Sequence, residues 1–148
     1  MRPILATALA AAALYGCNRA PAEPRVTADD VMVTLPAVPG RPGAAYFKLR
    51  TNRSPTTLLG VTSPLVQRIE LHQSMDKGMA KITSPEDLSF SGNGRLAFEP
   101  GGKHAMLFGI HKSVKVGDKI PLTLTLDPVP AVTVEAEVRG PGDVDAGQ

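Results

Sequence analysis

Apolar and polar positions alternate most clearly near the end of the chain. Leu122, Leu124 and Leu126 fall on one side, with Thr123 and Thr125 between them. Val132, Val134, Ala136 and Val138 fall on one side, and Thr133, Glu135, Glu137 and Arg139 on the other. A period of two is the mark of a half-buried strand, because successive side chains leave opposite faces of a sheet. Segments 29–35, 44–50, 56–61, 66–72, 95–98 and 103–111 read as further strands. Pro and Gly clusters recur between them, at 36–43, Ser54-Pro55, Ser63-Pro64, Ser84-Pro85, 92–94, 100–102 and 128–130. No helix of useful length fits between such breakers. The pattern predicts an all-β domain of about seven to eight short antiparallel strands, a sandwich or a Greek-key barrel.

The N-terminus breaks this pattern. Arg2 precedes an uncharged apolar run over residues 4–15, too short to span a bilayer and suited to the core of a signal peptide. The run ends in Leu14-Tyr15-Gly16-Cys17, which resembles a bacterial lipobox. That resemblance implies a leader over 1–16 and a lipidated Cys17 as first mature residue, although Tyr15 stands where small residues are usual. Residues 17–24 then read as the lipidated Cys and a Pro-containing tether, 25–139 as one folded domain and 140–148 as a disordered tail. The implied location is the cell envelope, facing the periplasm. Asn18 after Cys17 is not the Asp that retains some lipoproteins in the inner membrane, so the outer membrane is favoured.

Composition narrows the partners. Sixteen Lys plus Arg stand against fourteen Asp plus Glu, without a basic stretch or aromatic platform, which argues against nucleic-acid binding. Cys17 is the only cysteine, so no disulfide can staple the domain, and a metal site there must draw on His, Met, Asp or Glu.

The chain has three histidines and five methionines, one of them the initiator. Met75 and Met79 follow His72, and Met106 follows His104. Residues two apart on a strand point to the same side, so the His104 imidazole and the Met106 thioether converge. Ile69 and Leu71 face the core, which turns Glu70 and His72 outward, and the segment 73–81 reads as a loop carrying Met75 and Met79. Thioethers are poor ligands for zinc, calcium or magnesium and good ones for Cu(I), and imidazole suits copper in either oxidation state. The same residues are also consistent with core methionines and with histidines that satisfy backbone carbonyls. Glu70 reads as an acceptor for a ligand histidine or as a solvated carboxylate. His111 reads as a surface histidine, Tyr46 and Phe47 as core, and 85–87 as a turn.

Four segments together resemble the periplasmic copper chaperone family PCuAC: Ala44-Ala-Tyr-Phe-Lys-Leu49, Ile69-Glu-Leu-His72, Glu99-Pro-Gly-Gly-Lys-His-Ala-Met-Leu-Phe-Gly109 and Val116-Gly-Asp-Lys-Ile-Pro-Leu-Thr-Leu124. The resemblance covers roughly residues 26–139. It implies a cupredoxin-like barrel that binds Cu(I) through His-x10-Met-x21-His-x-Met and serves copper delivery to the CuA site of cytochrome c oxidase, with subunit II or its assembly factors as partners. His72, His104 and Met106 match ligands of that pattern. The remaining ligand position falls on Ile82, and the interval between the histidines is one residue short. Met79 is the preferred replacement, because Gly78 before it permits a bend; Met75 and a three-ligand site are the alternatives.

The expected function is therefore a Cu(I) carrier without catalysis. No Ser-His-Asp set, paired carboxylates or phosphate loop points to an enzyme. The alternative is a degenerate relative that keeps the barrel and acts through protein contacts, a reading that Ile82 favours.

Overall fold

The computed structural model describes residues 25–52, 55–92 and 94–143. The expected leader, Cys17, the tether and residues 144–148 lie outside the described residues. Ten strands form among the described residues: β1 Val26–Thr34, β2 Gly43–Thr51, β3 Thr56–Thr62, β4 Val66–Met75, β5 Gly78–Lys81, β6 Ser89–Phe90, β7 Arg95–Phe98, β8 Lys103–Ile110, β9 Lys119–Asp127 and β10 Val132–Arg139. A 3₁₀ turn, Pro85–Leu88, precedes β6 and occupies the expected turn.

All eight strands that the alternation predicts are present, and two more join them. β5 and β6 hold only four and two residues, too short to show a period. Segment 73–81 is a correction: it is a hairpin, with β4 running on to Met75 and β5 returning from Gly78. The antiparallel expectation also fails at one place. β1 runs antiparallel to β2 but parallel to β10, a pairing between chain ends that no local pattern can announce.

The strands form a sheet in the order β5-β4-β8-β2-β1-β10-β9-β3-β6, with β7 added to β2. Its terminal strands β5 and β6 are not paired with one another, so the sheet curls around its core without closing as a barrel. One face supplies that core. Phe47, Leu49, Leu58, Leu107, Leu122 and Leu124 are almost wholly buried. Phe47 and Phe98 lie opposite each other on β2 and β7 and stack with ring centroids 4.5 Å apart. Removing each such side chain from water contributes about 1.5–3 kcal/mol. Tyr46, expected in the core beside Phe47, is half-buried and takes the opposite face. That outer face of β4, β8 and β2 is where the chemistry lies.

Candidate metal centre

Strand parity assembles the centre. On β8, Ala105 and Leu107 are buried in the core, which turns His104 and Met106 to the outer face. On β4, Leu71 faces the core and Glu70 and His72 face out. The β4–β8 register sets His72 opposite His104 and Glu70 opposite Met106. The β4–β5 register sets Lys81 opposite His72 and Met79 opposite Ser74, so Met79 shares the outer face. Two imidazoles and two thioethers thus come from three adjacent strands.

The contacts are specific. His104 Nδ1 lies 3.1 Å from the Gly102 carbonyl oxygen, and its Nε2 lies 3.1 Å from the Met79 sulfur. A carbonyl can only accept, so Nδ1 carries the proton of the neutral ring. Nε2 is then a bare lone pair facing the lone pairs of a thioether, with no hydrogen between them. His72 shows the complementary arrangement. Its Nε2 donates to Glu70 Oε2 at 3.2 Å, and its Nδ1 is buried without a hydrogen-bond partner. The ring centroids of the two histidines are 6.1 Å apart. Each ring therefore has one nitrogen tied to an acceptor and one lone pair left open, the arrangement by which outer partners orient metal-binding histidines.

Glu70 is held in turn by Arg68 Nε at 3.2 Å and Lys81 Nζ at 3.4 Å. The hydrogen bond from His72 is the main cause that draws its carboxyl below the ordinary range; partial burial opposes this, and Lys81 and Arg68 add to it. Arg68 also lies over the Phe108 ring at 4.4 Å. Gly102 belongs to a turn anchored on both sides. Its carbonyl accepts from Ser74 N–H at 3.0 Å, and Lys103 Nζ donates to Gln73 at 3.0 Å.

The other candidates separate by face. Met106 is half-buried on the outer face, two ladder pairs along from His104. Met75 falls on the opposite parity of β4 and is exposed at the hairpin end. Ile82, where the family pattern places a ligand, donates its backbone N–H to Leu71 and packs against the core, on the side away from His72. Exposed His111 lies beyond β8, its Nδ1 paired with Ser113 at 2.7 Å. Burial alone raises the Tyr46 phenol above its ordinary value. The Gly102 carbonyl was not among the candidates, though the Pro100-Gly101-Gly102 turn just before His104 marks its place.

Among the described residues, no three His, Cys, Asp or Glu side chains gather to hold a metal. The donors that do converge are imidazole and thioether, a set matched to a soft ion. No helix among the described residues is long and apolar enough to cross a membrane.

Comparison with known proteins agrees with the fold. The sequence model of the LpqE-like lipoprotein family matches residues 26–138. A protein of Rickettsia prowazekii is 31% identical over 87 residues, 57% of this chain and 48% of that protein. The chain spans about half the length of the curated relatives it matches. The copper-bound PCuAC domain from PmoF2 superposes with a TM-score of 0.62 at 22% identity, covering 78% of this chain and 93% of that one. Cu(I)-bound DR1885 from Deinococcus radiodurans gives 0.59 at 26% identity, covering 77% and 76%. The PCuAC resemblance read from the four sequence segments is thus shown in the fold.

Proposed function

The chain belongs to the LpqE-like lipoprotein family, and from that premise we propose that it is a copper(I) carrier of the bacterial envelope, anchored by lipid on Cys17. The observation that carries the reading is a facing pair of histidines, each with one ring nitrogen tied to an oxygen acceptor and the other turned to the site. His72 and His104 each hold an open lone pair, and the Met79 sulfur stands 3.1 Å from one of them. The copper-bound neighbours support it, since two proteins of this fold hold that metal.

The cargo would be held by His72 Nδ1, His104 Nε2 and Met79 Sδ, with Met106 as the fourth donor. Thioethers and neutral imidazoles carry no charge, so a donor set of this kind suits a soft monovalent ion. Glu70 and Gly102 supply orientation, which lowers the reorganisation needed on binding. A site of this kind exchanges its cargo and performs no catalysis. We infer a periplasm-facing position, with the outer membrane favoured, and delivery toward the CuA centre of cytochrome c oxidase through subunit II or its assembly factors.

A Cu(I) titration of the purified protein against a colorimetric competitor tests the reading. One equivalent should bind, be abolished in His104→Ala and be weakened about tenfold or more in Met79→Ala. Absence of uptake by the wild-type chain would reject the carrier reading in favour of a barrel-like module that acts through protein contacts.

A further inference from the structure

Exposure divides the donors of the site into two classes. His104 is 7% exposed, and the His72 side chain 15%. Met79 is 58% exposed and Met75 64%. The imidazoles, with half-buried Met106, form a recessed floor, and Met75 and Met79 lie where solvent and a partner can reach them.

The two exposed thioethers are neighbours. Met75 pairs with Gly78 at the closed end of the β4–β5 hairpin, and Met79 pairs with Ser74 one step inside it. Gly78 takes a φ of +128°, a conformation that L side chains rarely adopt, and so lets the chain reverse directly at the methionine pair. Met75, Asp76, Lys77, Gly78 and Met79 line one small concavity at the hairpin tip. Strand parity alone would place Met75 and Met79 on opposite faces; the hairpin end brings both to one opening. Met79 connects that opening to the floor through its contact with His104.

We propose that Met75 is a transit ligand, through which Cu(I) enters and leaves the His72–His104–Met79 site at the hairpin tip. The inference rests on the carrier reading above. In the outward direction, a bond from copper to the Met75 sulfur forms, and the bonds to His72 Nδ1, His104 Nε2 and the Met106 sulfur then break, while Met79 keeps hold. A soft donor of the acceptor, a thioether, thiolate or imidazole, then bonds to the metal as the two thioethers release it. Copper stays Cu(I) throughout, and the thioethers neither gain nor lose a proton. At each stage a new donor bonds before the old ones depart, so the ion never becomes bare in water. The acceptor it fits is one that presents soft donors to the β4–β5 tip.

The test separates affinity from rate. Full-length protein is loaded with one equivalent of Cu(I) and mixed with a chelator in a stopped-flow spectrometer, and its affinity is measured separately by competition. Met75→Leu keeps the apolar bulk at an exposed position and removes only the sulfur. The expected result is an unchanged affinity with transfer slowed about tenfold. Lys112→Ser, exposed beyond β8 and away from the tip, should alter neither. Weakened affinity in Met75→Leu would make Met75 a resident ligand and overturn the proposal. Unchanged affinity and unchanged rate would overturn it too. Failure of the wild-type chain to take up Cu(I) would reject the carrier reading itself, and that outcome is visible in the titration before any transfer is timed.

Discussion

His72 and His104 are direct cross-strand partners on β4 and β8, and each ring gives its proton to a different kind of acceptor, the Glu70 carboxylate and the Gly102 carbonyl. Neither acceptor can donate in return, so in the neutral form of each ring the proton sits on the nitrogen that faces its acceptor. The open nitrogens are Nδ1 on one ring and Nε2 on the other. The chain thereby prepares two lone pairs in advance, and the entropy of orienting two rings does not have to be met when the cargo arrives.

Glu70→Ala tests that preparation. Without the carboxylate, His72 loses the acceptor that fixes its tautomer, and its ring can turn. Cu(I) affinity should fall by about 10–100-fold, the usual effect of losing a partner behind a metal-binding histidine. The melting temperature should change little, because Glu70 lies on the outer face with its ion-pair partners Arg68 and Lys81 largely in solvent. An affinity within twofold of wild type would show that Glu70 is only a solvated carboxylate.

Ile82→Met asks whether the family's ligand position still exists in this chain. The Ile82 N–H bonds to the Leu71 carbonyl at 2.8 Å, and the side chain packs against the core. A methionine there would follow it inward, away from His72. Competition titration should give an affinity close to wild type, and denaturant unfolding a stability loss below about 1.5 kcal/mol, as for other volume-conserving swaps. A gain in affinity would mean that this segment shifts when metal binds.

Much of this was legible in the sequence, for a physical reason. Period-two alternation is a property of single strands, so β9 and β10 could be read directly, and so could the shared face of His104 and Met106. What depended on pairing between distant segments could not be read. The β1–β10 parallel contact is one case; the hairpin that carries Met75 and Met79 is another, because four residues such as Gly78–Lys81 show no period and gain their strand character only from β4. Gly78 favoured Met79 over Met75 in the sequence, while their places on opposite parities of the β4–β5 ladder came only from the register. The Pro100-Gly101-Gly102 turn marks where the Gly102 carbonyl lies, but that it accepts from His104 emerged only from the fold.

Acid should destabilise the domain modestly. Asp30 has its carboxyl lowered mainly by the hydrogen bond from Lys48, and Glu86 by that from Ser84. A carboxyl lowered in the folded state contributes stability above its unfolded value, and the contribution disappears as pH falls through the folded value. The melting temperature should therefore be nearly flat from pH 7 to 5 and decline below about pH 4. Both groups are exposed and screened, so added salt should shrink the effect, and Asp30→Asn should remove part of the slope. A melting temperature that rises on acidification would contradict this assignment.

Phe98→Ala connects the core to the centre. Phe98 is 1% exposed, stacks on Phe47 at 4.5 Å and ends β7, immediately before the turn that supplies the Gly102 carbonyl. That turn is closed by the Glu99 N–H to the Lys103 carbonyl at 2.8 Å and by the Gly102 N–H to the Glu99 carbonyl at 3.0 Å. Deleting the ring leaves a cavity that the surrounding strands can only partly fill, at a cost of about 3–5 kcal/mol in denaturant unfolding. It also loosens one anchor of the turn, so the His104 tautomer is less firmly held and Cu(I) affinity should drop in the protein that remains folded. The drop should be smaller than in Glu70→Ala, because the Ser74 N–H still ties the Gly102 carbonyl to β4. Phe98→Leu, which retains most of the volume, should recover both properties in large part. Recovery of stability without recovery of affinity would mean that the ring itself, and not the packing, positions the turn.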